Sequence, residues 1–282
     1  MSALKETNMS TAEADRVRRH YEPSDAGDGL IAKVRLALDA LPGPVSVAAL
    51  AGFDQFHVRG LAATVELGEL LDINSDSRVL DAGCGLGGPS RHVAETYRCG
   101  VDGVDLTPSY VEVARLLAER SGLGDRVHYL TGDLLALPFA DRRFDVIYTQ
   151  HVVMNIGDRA GLYGELRRLL RPGGRFGFYD VLAADGKPAP HFPLPWAATQ
   201  DTSFLLTEAE TRTALASAGL IPKIWRDVTA AAVAWLTQPR PPASGPTLAM
   251  VMGPRFGQMA ANLARNLGEG RLRLIMARCE IG

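Results

Sequence analysis

Apolar positions change their spacing along this chain, and the changes mark out its elements. Between residues 78 and 180, short apolar runs alternate with segments whose apolar residues recur at helical spacing. The runs suit buried strands, and the longer period suits helices laid against them. Strands are predicted at 78–82, 101–105, 126–130, 144–149 and 174–180, and helices at 89–98, 108–121 and 159–170. Such alternation implies an α/β protein with a parallel sheet. The third crossover, 132–143, reads as mostly loop, and Pro172-Gly173-Gly174 reads as a turn before the fifth strand. Further strands fit 220–228 and 271–280. Thr207 and Glu210 form a capping box that opens a helix over 207–218. Another helix fits about 247–267.

The segment before the first strand has a helical pattern. Residues 1–20 are a polar arm that becomes helical and is broken at His20-Tyr21-Glu22-Pro23. Leu30, Ile31, Val34, Leu36 and Leu38 mark a helix over 29–41, stopped by Pro42-Gly43-Pro44. Leu61, Val65, Leu67, Leu70 and Leu71 mark the next. Residues 1–75 are therefore expected to form a helical cap over a ligand mouth, part of the same domain as 76–282. Two proline-rich stretches, 183–200 and 238–247, are too apolar for linkers and are expected as pocket-side loops.

Composition narrows the function classes. The 282-residue chain is 46% hydrophobic and 22% charged, ordinary for a globular protein, and its net charge of −2 gives no reason to expect a nucleic-acid or anionic-membrane partner. It contains no apolar run of membrane-spanning length. No signal peptide is recognisable, and Ser2 stands where a myristoylation signal needs glycine. Cys84, Cys99 and Cys279 are too scattered for a disulfide framework or a zinc site, so a reduced, cytoplasmic setting is expected. His20, His57, His92, His128, His151 and His191 show no metal-binding spacing, and no metal is expected.

The chemistry centres on Val79-Leu-Asp81-Ala-Gly83-Cys-Gly85-Leu-Gly87-Gly88-Pro89-Ser-Arg91. An apolar strand runs into a glycine turn, and Pro89 suits the first turn of the helix that follows. Gly83 and Gly85 let the backbone approach a ligand, and the helix N-terminus faces it. The spacing Gly83-x-Gly85-x-x-Gly88 also fits the dinucleotide fingerprint of NAD(P)-dependent oxidoreductases. Asp81 separates the two readings. A carboxylate at the mouth of the turn repels a pyrophosphate and attracts a cation, such as the ammonium and sulfonium of S-adenosylmethionine (SAM). A plain turn-capping role is the alternative for Asp81.

Asp105 ends the second strand, where an acidic residue meets ribose hydroxyls in these folds. Thr107, with Pro108 after it, is the better N-cap, which leaves Asp105 and its neighbour Leu106 for the ligand. Asp133 and Leu134 follow the third strand, as a carboxylate for an adenine amino group and a backbone N–H for a ring nitrogen. Gln150 and His151 sit at the carboxyl edge of the fourth strand. There Gln150 would face the cofactor, and His151 is either a base or a pocket wall. Asn155, a helical turn on, is a candidate substrate group. Asp145 begins the fourth strand, away from that edge, and reads as structural.

Val79–Arg91, Gly103-Val-Asp105, Gly132-Asp133, Phe144–His151 and Leu169-Leu-Arg-Pro-Gly-Gly174, in this order, resemble the successive motifs of class I SAM-dependent methyltransferases over about 78–181. The resemblance implies a Rossmann-like seven-stranded sheet with helices on both faces. Its last strand would be antiparallel, beside the sixth. SAM would be the methyl donor, S-adenosylhomocysteine (SAH) the product, and no metal would be needed. Asp54-Gln-Phe-His57 with Gly60-Leu-Ala-Ala-Thr64, the Gly85–Arg91 loop and Phe192-Pro-Leu-Pro-Trp196-Ala197 are similar to sarcosine/dimethylglycine-type small-molecule methyltransferases. That similarity implies an amine or amino-acid acceptor. The alternative is O- or C-methylation in a natural-product pathway. Several natural-product methyltransferases carry a histidine near the place where this chain has Asn155, so the amine-methylating pair does not carry over directly.

Tyr21 resembles the cap tyrosine of phosphoethanolamine methyltransferases, which would close over the donor; cap packing is the competing role. Gln55 and His57 either face the ligands or hold the cap to the sheet. Trp196 and Phe192 pack, and Trp196 is placed to lean over a cation if it lines the pocket. The partner expected is a small molecule, with the oligomeric state, a homodimer included, left open. An NAD(P)-dependent oxidoreductase and a non-enzymatic SAM-binding protein are the competing classes.

Overall fold

The computed structural model describes residues 11–21, 27–40, 45–239 and 247–282. Among these residues, four helices precede the first strand: α1 (Thr11–Tyr21), α2 (Gly27–Asp39), α3 (Val47–Asp54) and α4 (Leu61–Leu70). The alternating part follows as β1 (Arg78–Ala82), α5 (Gly88–Tyr97), β2 (Gly100–Asp105), α6 (Pro108–Arg120), β3 (Val127–Thr131), β4 (Phe144–Gln150), α7 (Arg159–Leu169) and β5 (Leu170–Ala183). The chain ends with α8 (Glu208–Ser217), β6 (Leu220–Asp227), α9 (Thr229–Thr237), α10 (Ala249–Met252), α11 (Phe256–Gly268) and β7 (Leu272–Ile281).

One seven-stranded sheet has the order β3-β2-β1-β4-β5-β7-β6. Strands β1 to β5 pair in parallel, and β7 is antiparallel to both β5 and β6. The expected sheet, with its reversed last strand beside the sixth, is therefore what the chain forms. The central strands are almost wholly apolar because both faces are covered. Alternate side chains go to opposite faces. Val79, Val101, Val146 and Tyr148 enter one core, while Leu80, Val104 and Ile147 enter the other. A third cluster joins Leu30, Val34 and Leu38 of α2 to Leu50 and Phe53 of α3 and to Tyr110, Val113 and Leu117 of α6.

The elements differ from the sequence pattern at a few places. The helix expected over 247–267 is two helices, because Gly253 takes φ +78° and Pro254 has no N–H to continue the ladder. β5 begins at Leu170 rather than 174, and its pairing skips from Leu170 opposite Phe144 to Arg175 opposite Val146. Pro172-Gly173-Gly174 is thus a turn looped out of a longer strand. Helices α3 and α9 are additions to the expected set. The α3 sequence VAALAGFD is apolar nearly all round, so it has no period to detect, and Ser46 caps it by accepting a bond from Ala49 N. The arm before Thr11, the Glu22–Pro23 break, the Pro42-Gly43-Pro44 stop and residues 240–246 lie outside the described residues. Among the described residues no helix is long and apolar enough to cross a membrane.

A fully buried ion pair links the first helices to the helix that follows the glycine turn. Arg91 on α5 and Asp54 at the end of α3 meet at 2.6 Å, and neither side chain is exposed at all. Arg91 Nη1 also donates to Leu86 O at 2.8 Å. A buried guanidinium left without its carboxylate costs about 3–5 kcal/mol. Asp54→Ala should therefore lower unfolding free energy by about that amount, read from the midpoint of a chemical denaturation curve. Asp54→Leu combined with Arg91→Met should recover much of the loss; equal losses in the single and double variants would contradict the pairing.

Candidate functional site

The glycine turn after β1 forms the floor of the site. Gly83 takes φ +87°, and a Cβ there would collide with the Val152 side chain, so only glycine fits. Gly83 N and Cys84 N both donate to Val104 O, at 2.8 and 3.0 Å, which fixes the turn against β2. Asp81 lies beneath it, buried, accepting a 2.5 Å bond from Ser90 Oγ of α5. Burial pushes its carboxyl up to about 7, with the Ser90 bond acting the other way.

Asp105, at the end of β2, spans from this turn to the next helix. Its Oδ2 accepts from Gly85 N and its Oδ1 from Thr107 N, both at 2.9 Å. Burial raises its pKa, opposed by those backbone bonds. Thr107 stands at the N-cap of α6, as its sequence position implies, but makes no side-chain capping bond. The Asp105 carboxylate thus bridges the Gly85 N–H of the turn and the Thr107 N–H before α6. Each oxygen keeps acceptor capacity beyond its one backbone bond. Beyond β3, Asp133 Oδ1 accepts from Leu135 N at 3.0 Å, and Leu134 is buried beside it.

The opposite wall comes from the end of β4. Gln150 is its last residue, and His151 follows with φ +55°, a left-handed conformation held by His151 N donating to Tyr179 O at 2.8 Å. A short 3₁₀ turn, Val153–Asn155, comes next. Asp180 of β5 anchors it: Oδ2 accepts from Val152 N at 3.2 Å and Val153 N at 3.0 Å. Burial pushes the Asp180 carboxyl up to about 6. Asp180 is absent from the candidates read off the sequence, although a lone acid in the apolar strand Phe176-Gly-Phe-Tyr-Asp180-Val-Leu182 is a visible signal.

Gln55 and His57 do both things considered for them. His57 Nε2 lies 3.0 Å from Gly60 O, 3.1 Å from Thr64 Oγ1 and 3.1 Å from Gln150 Nε2. Thr64 Oγ1 donates to Gln55 Oε1 at 2.8 Å. This buried network ties the loop before α4 to the end of β4, and both residues also line the cavity. Burial lowers His57 to about 4, and it holds His151 well below 6.5, with His57 adding to the effect. Both imidazoles are neutral at neutral pH. Tyr21 OH accepts from Asn155 Nδ2 at 2.9 Å, and burial keeps its phenol protonated far above the usual range. Asn155 Oδ1, His151 Nε2 and Gln55 Nε2 have no hydrogen-bond partner among the described residues. Trp196 is buried in an ordered loop, with Nε1 donating to Ser203 Oγ at 2.9 Å.

One cavity of about 720 Å³ brings together Tyr21, His57, Asp81, Gly83, Gly85, Asp105, Leu106, Asp133, Leu134, Gln150, His151, Asn155 and Trp196. It continues past them between α9, α10 and α11, which no motif in the sequence places at the site. Four carboxylates line it, from Asp54, Asp81, Asp105 and Asp133, and among the described residues no lysine or arginine does. Among the described residues there is also no cluster of three or more His, Cys, Asp or Glu suited to a metal.

Residues 80–178 match the family described as "Methyltransferase domain". Sterol 24-C-methyltransferase ERG6B of Gibberella zeae is 36% identical over 115 residues, which is 41% of this chain but only 30% of that protein. The chain therefore spans about a third of the length of this relative. Among solved structures, geranyl diphosphate C-methyltransferase from Streptomyces coelicolor A3(2), in complex with Mg²⁺, geranyl diphosphate and SAH, superposes with TM-score 0.71 at 17% identity, covering 97% of this chain and 99% of that one. A putative sarcosine dimethylglycine methyltransferase from Galdieria sulphuraria gives TM-score 0.57 at 16% identity, covering 78% and 83%. The fold is that of the class I SAM-dependent methyltransferases.

The Asp81 environment has a consequence for stability. Its folded pKa of about 7 lies above the ordinary 3.8. Between those values the folded state holds a proton that the unfolded state lacks, so stability falls as pH rises through that window. Above it, the ligand-free protein carries the whole penalty. Asp81→Asn removes it. The variant should gain on the order of a few kcal/mol over wild type at about pH 8 and little at about pH 4, measured by denaturation without ligand; an equal difference at both pH values would contradict the assignment.

Proposed function

We propose that this chain transfers a methyl group from SAM to a carbon atom of a small-molecule acceptor. The observation that carries the reading is the cleft itself. The carboxylates of Asp81, buried, and Asp105, half-buried, flank a glycine turn, and no lysine or arginine lines the cavity among the described residues. That charge pattern disfavours the diphosphate of a dinucleotide and favours a cationic donor. Asp105, with Leu106, would hold the ribose through its spare acceptor sites. Asp133 and Leu134 would take the adenine, and Asp81, Gly83, Gly85 and Gln150 the amino-acid end. When bound, SAM supplies an electrophilic methyl group on a positively charged sulfur.

Carbon as the accepting atom draws support from the sterol and geranyl diphosphate C-methyltransferases that the chain resembles. It fits better than the amine expected from the sarcosine-type resemblance. Methylation of an alkene or enol carbon leaves one surplus proton on the acceptor, and a neutral base must accept it. His151 suits that role, because burial keeps it unprotonated and its Nε2 has no partner among the described residues. His57 Nε2 is engaged by Gly60, Thr64 and Gln150, so His57 positions the wall rather than taking the proton. Tyr21, fixed by Asn155, closes the mouth, and Trp196 presents an aromatic wall. Three free, buried cysteines accord with a cytoplasmic setting.

Release of SAH and a product heavier by one methylene unit, from a panel of alkenes, enols, phenols and amines, tests the reading. SAH binding with no turnover on any member would favour the non-enzymatic alternative. Asp105→Ala should weaken SAH binding about 10–100-fold by calorimetry, as expected for lost bonds to a charged acceptor. His151→Ala should lower kcat about 100-fold or more while leaving SAH affinity unchanged. Because His151 is held well below 6.5, kcat should stay level as pH falls through that value. kcat/KM for SAM should fall below about 7, where Asp81 gains a proton in the free protein. A kcat that halves near the ordinary histidine value of 6.5 would remove His151 as the base.

A further inference from the structure

The far half of the cavity points to the kind of acceptor. It is walled by Trp235 of α9, Leu248 and Met252 around α10, and Phe256, Ala260 and Ala264 of α11. It opens directly into the cleft assigned to the donor, since one cavity contains both. We infer that this chamber receives an uncharged, mainly hydrocarbon acceptor, and that it rejects phosphorylated and carboxylated ones. The inference rests on the reading of the cleft as a methyl-donor site and adds to it the class of the second substrate.

The argument is one of unpaired charge. A buried anion needs a cation or several donors to offset its lost hydration. Among the described residues the lining has no lysine or arginine to provide one. Its carboxylates, at Asp54, Asp81, Asp105 and Asp133, offer an anion no compensation. An ammonium acceptor fares no better in the far half, because these carboxylates belong to the near half and Asp54 is already paired with Arg91. The unpartnered polar atoms, His151 Nε2, Asn155 Oδ1 and Gln55 Nε2, belong to the β4 edge and the loop before α4. His151, Asn155 and Gln55 line the cavity there, so the neutral reacting end of the acceptor would lie against them while its body lies on apolar walls. This differs from the geranyl diphosphate enzyme, whose complex contains a diphosphate.

The test uses the full chain and ligands matched in their hydrocarbon part. SAH binding is measured first by calorimetry; its absence would overturn the donor site, and the acceptor class with it. Geraniol and farnesol are then compared with geranyl and farnesyl diphosphate, in the presence of saturating SAH. The neutral member of each pair should bind at least about 100-fold more tightly, as expected where a buried charge has no partner. Tighter binding of the diphosphates, or no binding of either alcohol, would overturn the acceptor class while the donor site stands. Ala264→Arg places a cation in the chamber wall. It should weaken farnesol binding at least tenfold, improve farnesyl diphosphate binding, and leave SAH affinity unchanged. Phe256→Ala, which adds no bulk, should weaken farnesol binding about tenfold without affecting SAH; unchanged farnesol binding in both variants would also overturn the inference.

Discussion

The buried pair of Arg91 and Asp54 is the constraint on which the rest of the site depends. It joins the helix that follows the glycine turn to the last residue of a helix that precedes the sheet. Both partners are withdrawn from water, so neither can separate without leaving a bare charge in the interior. The loop carrying Gln55 and His57 starts at Asp54, and its hydrogen bonds to Thr64 and Gln150 extend the same tie to the end of β4. The position of the first helices over the cleft is thus fixed by polar bonds as well as by the apolar cluster of α2, α3 and α6.

The cleft is electrostatically unbalanced by its own residues. Asp81 is buried and Asp105 half-buried, neither paired to a lysine or arginine among the described residues, and their pKa values are raised by desolvation. Such sites exchange stability for readiness to bind. A positively charged ligand would supply what the fold omits. The same logic runs through the β4 edge. Asp180 commits its acceptor capacity to the backbone of Val152, Val153 and Val181, and so holds the turn that follows His151 and its left-handed backbone.

The sheet and the strand-edge half of the cavity were legible in the sequence. Strands buried on both faces are continuous apolar runs, and glycine turns at strand ends are local events, so both leave a local signature. Asp81, Asp105 and Asp133 could be placed because each lies at or just past the end of a strand. The split of the last long helix at Gly253-Pro254 is written in those two residues. Helix α3 could not be read from period, since a helix buried all round has none.

Sequence alone determined the order of the strands along the chain, the glycine turn and the acidic residues at the strand ends, because these depend on neighbours in the chain. Tertiary structure decided which distant residues meet. It paired Arg91 with Asp54, set Asp180 beneath the turn after His151, joined Tyr21 to Asn155, and brought α9 to α11 over the cleft as an apolar chamber. These contacts join residues far apart in the chain and follow from how helices pack across the sheet, a geometry to which no local pattern in the chain corresponds.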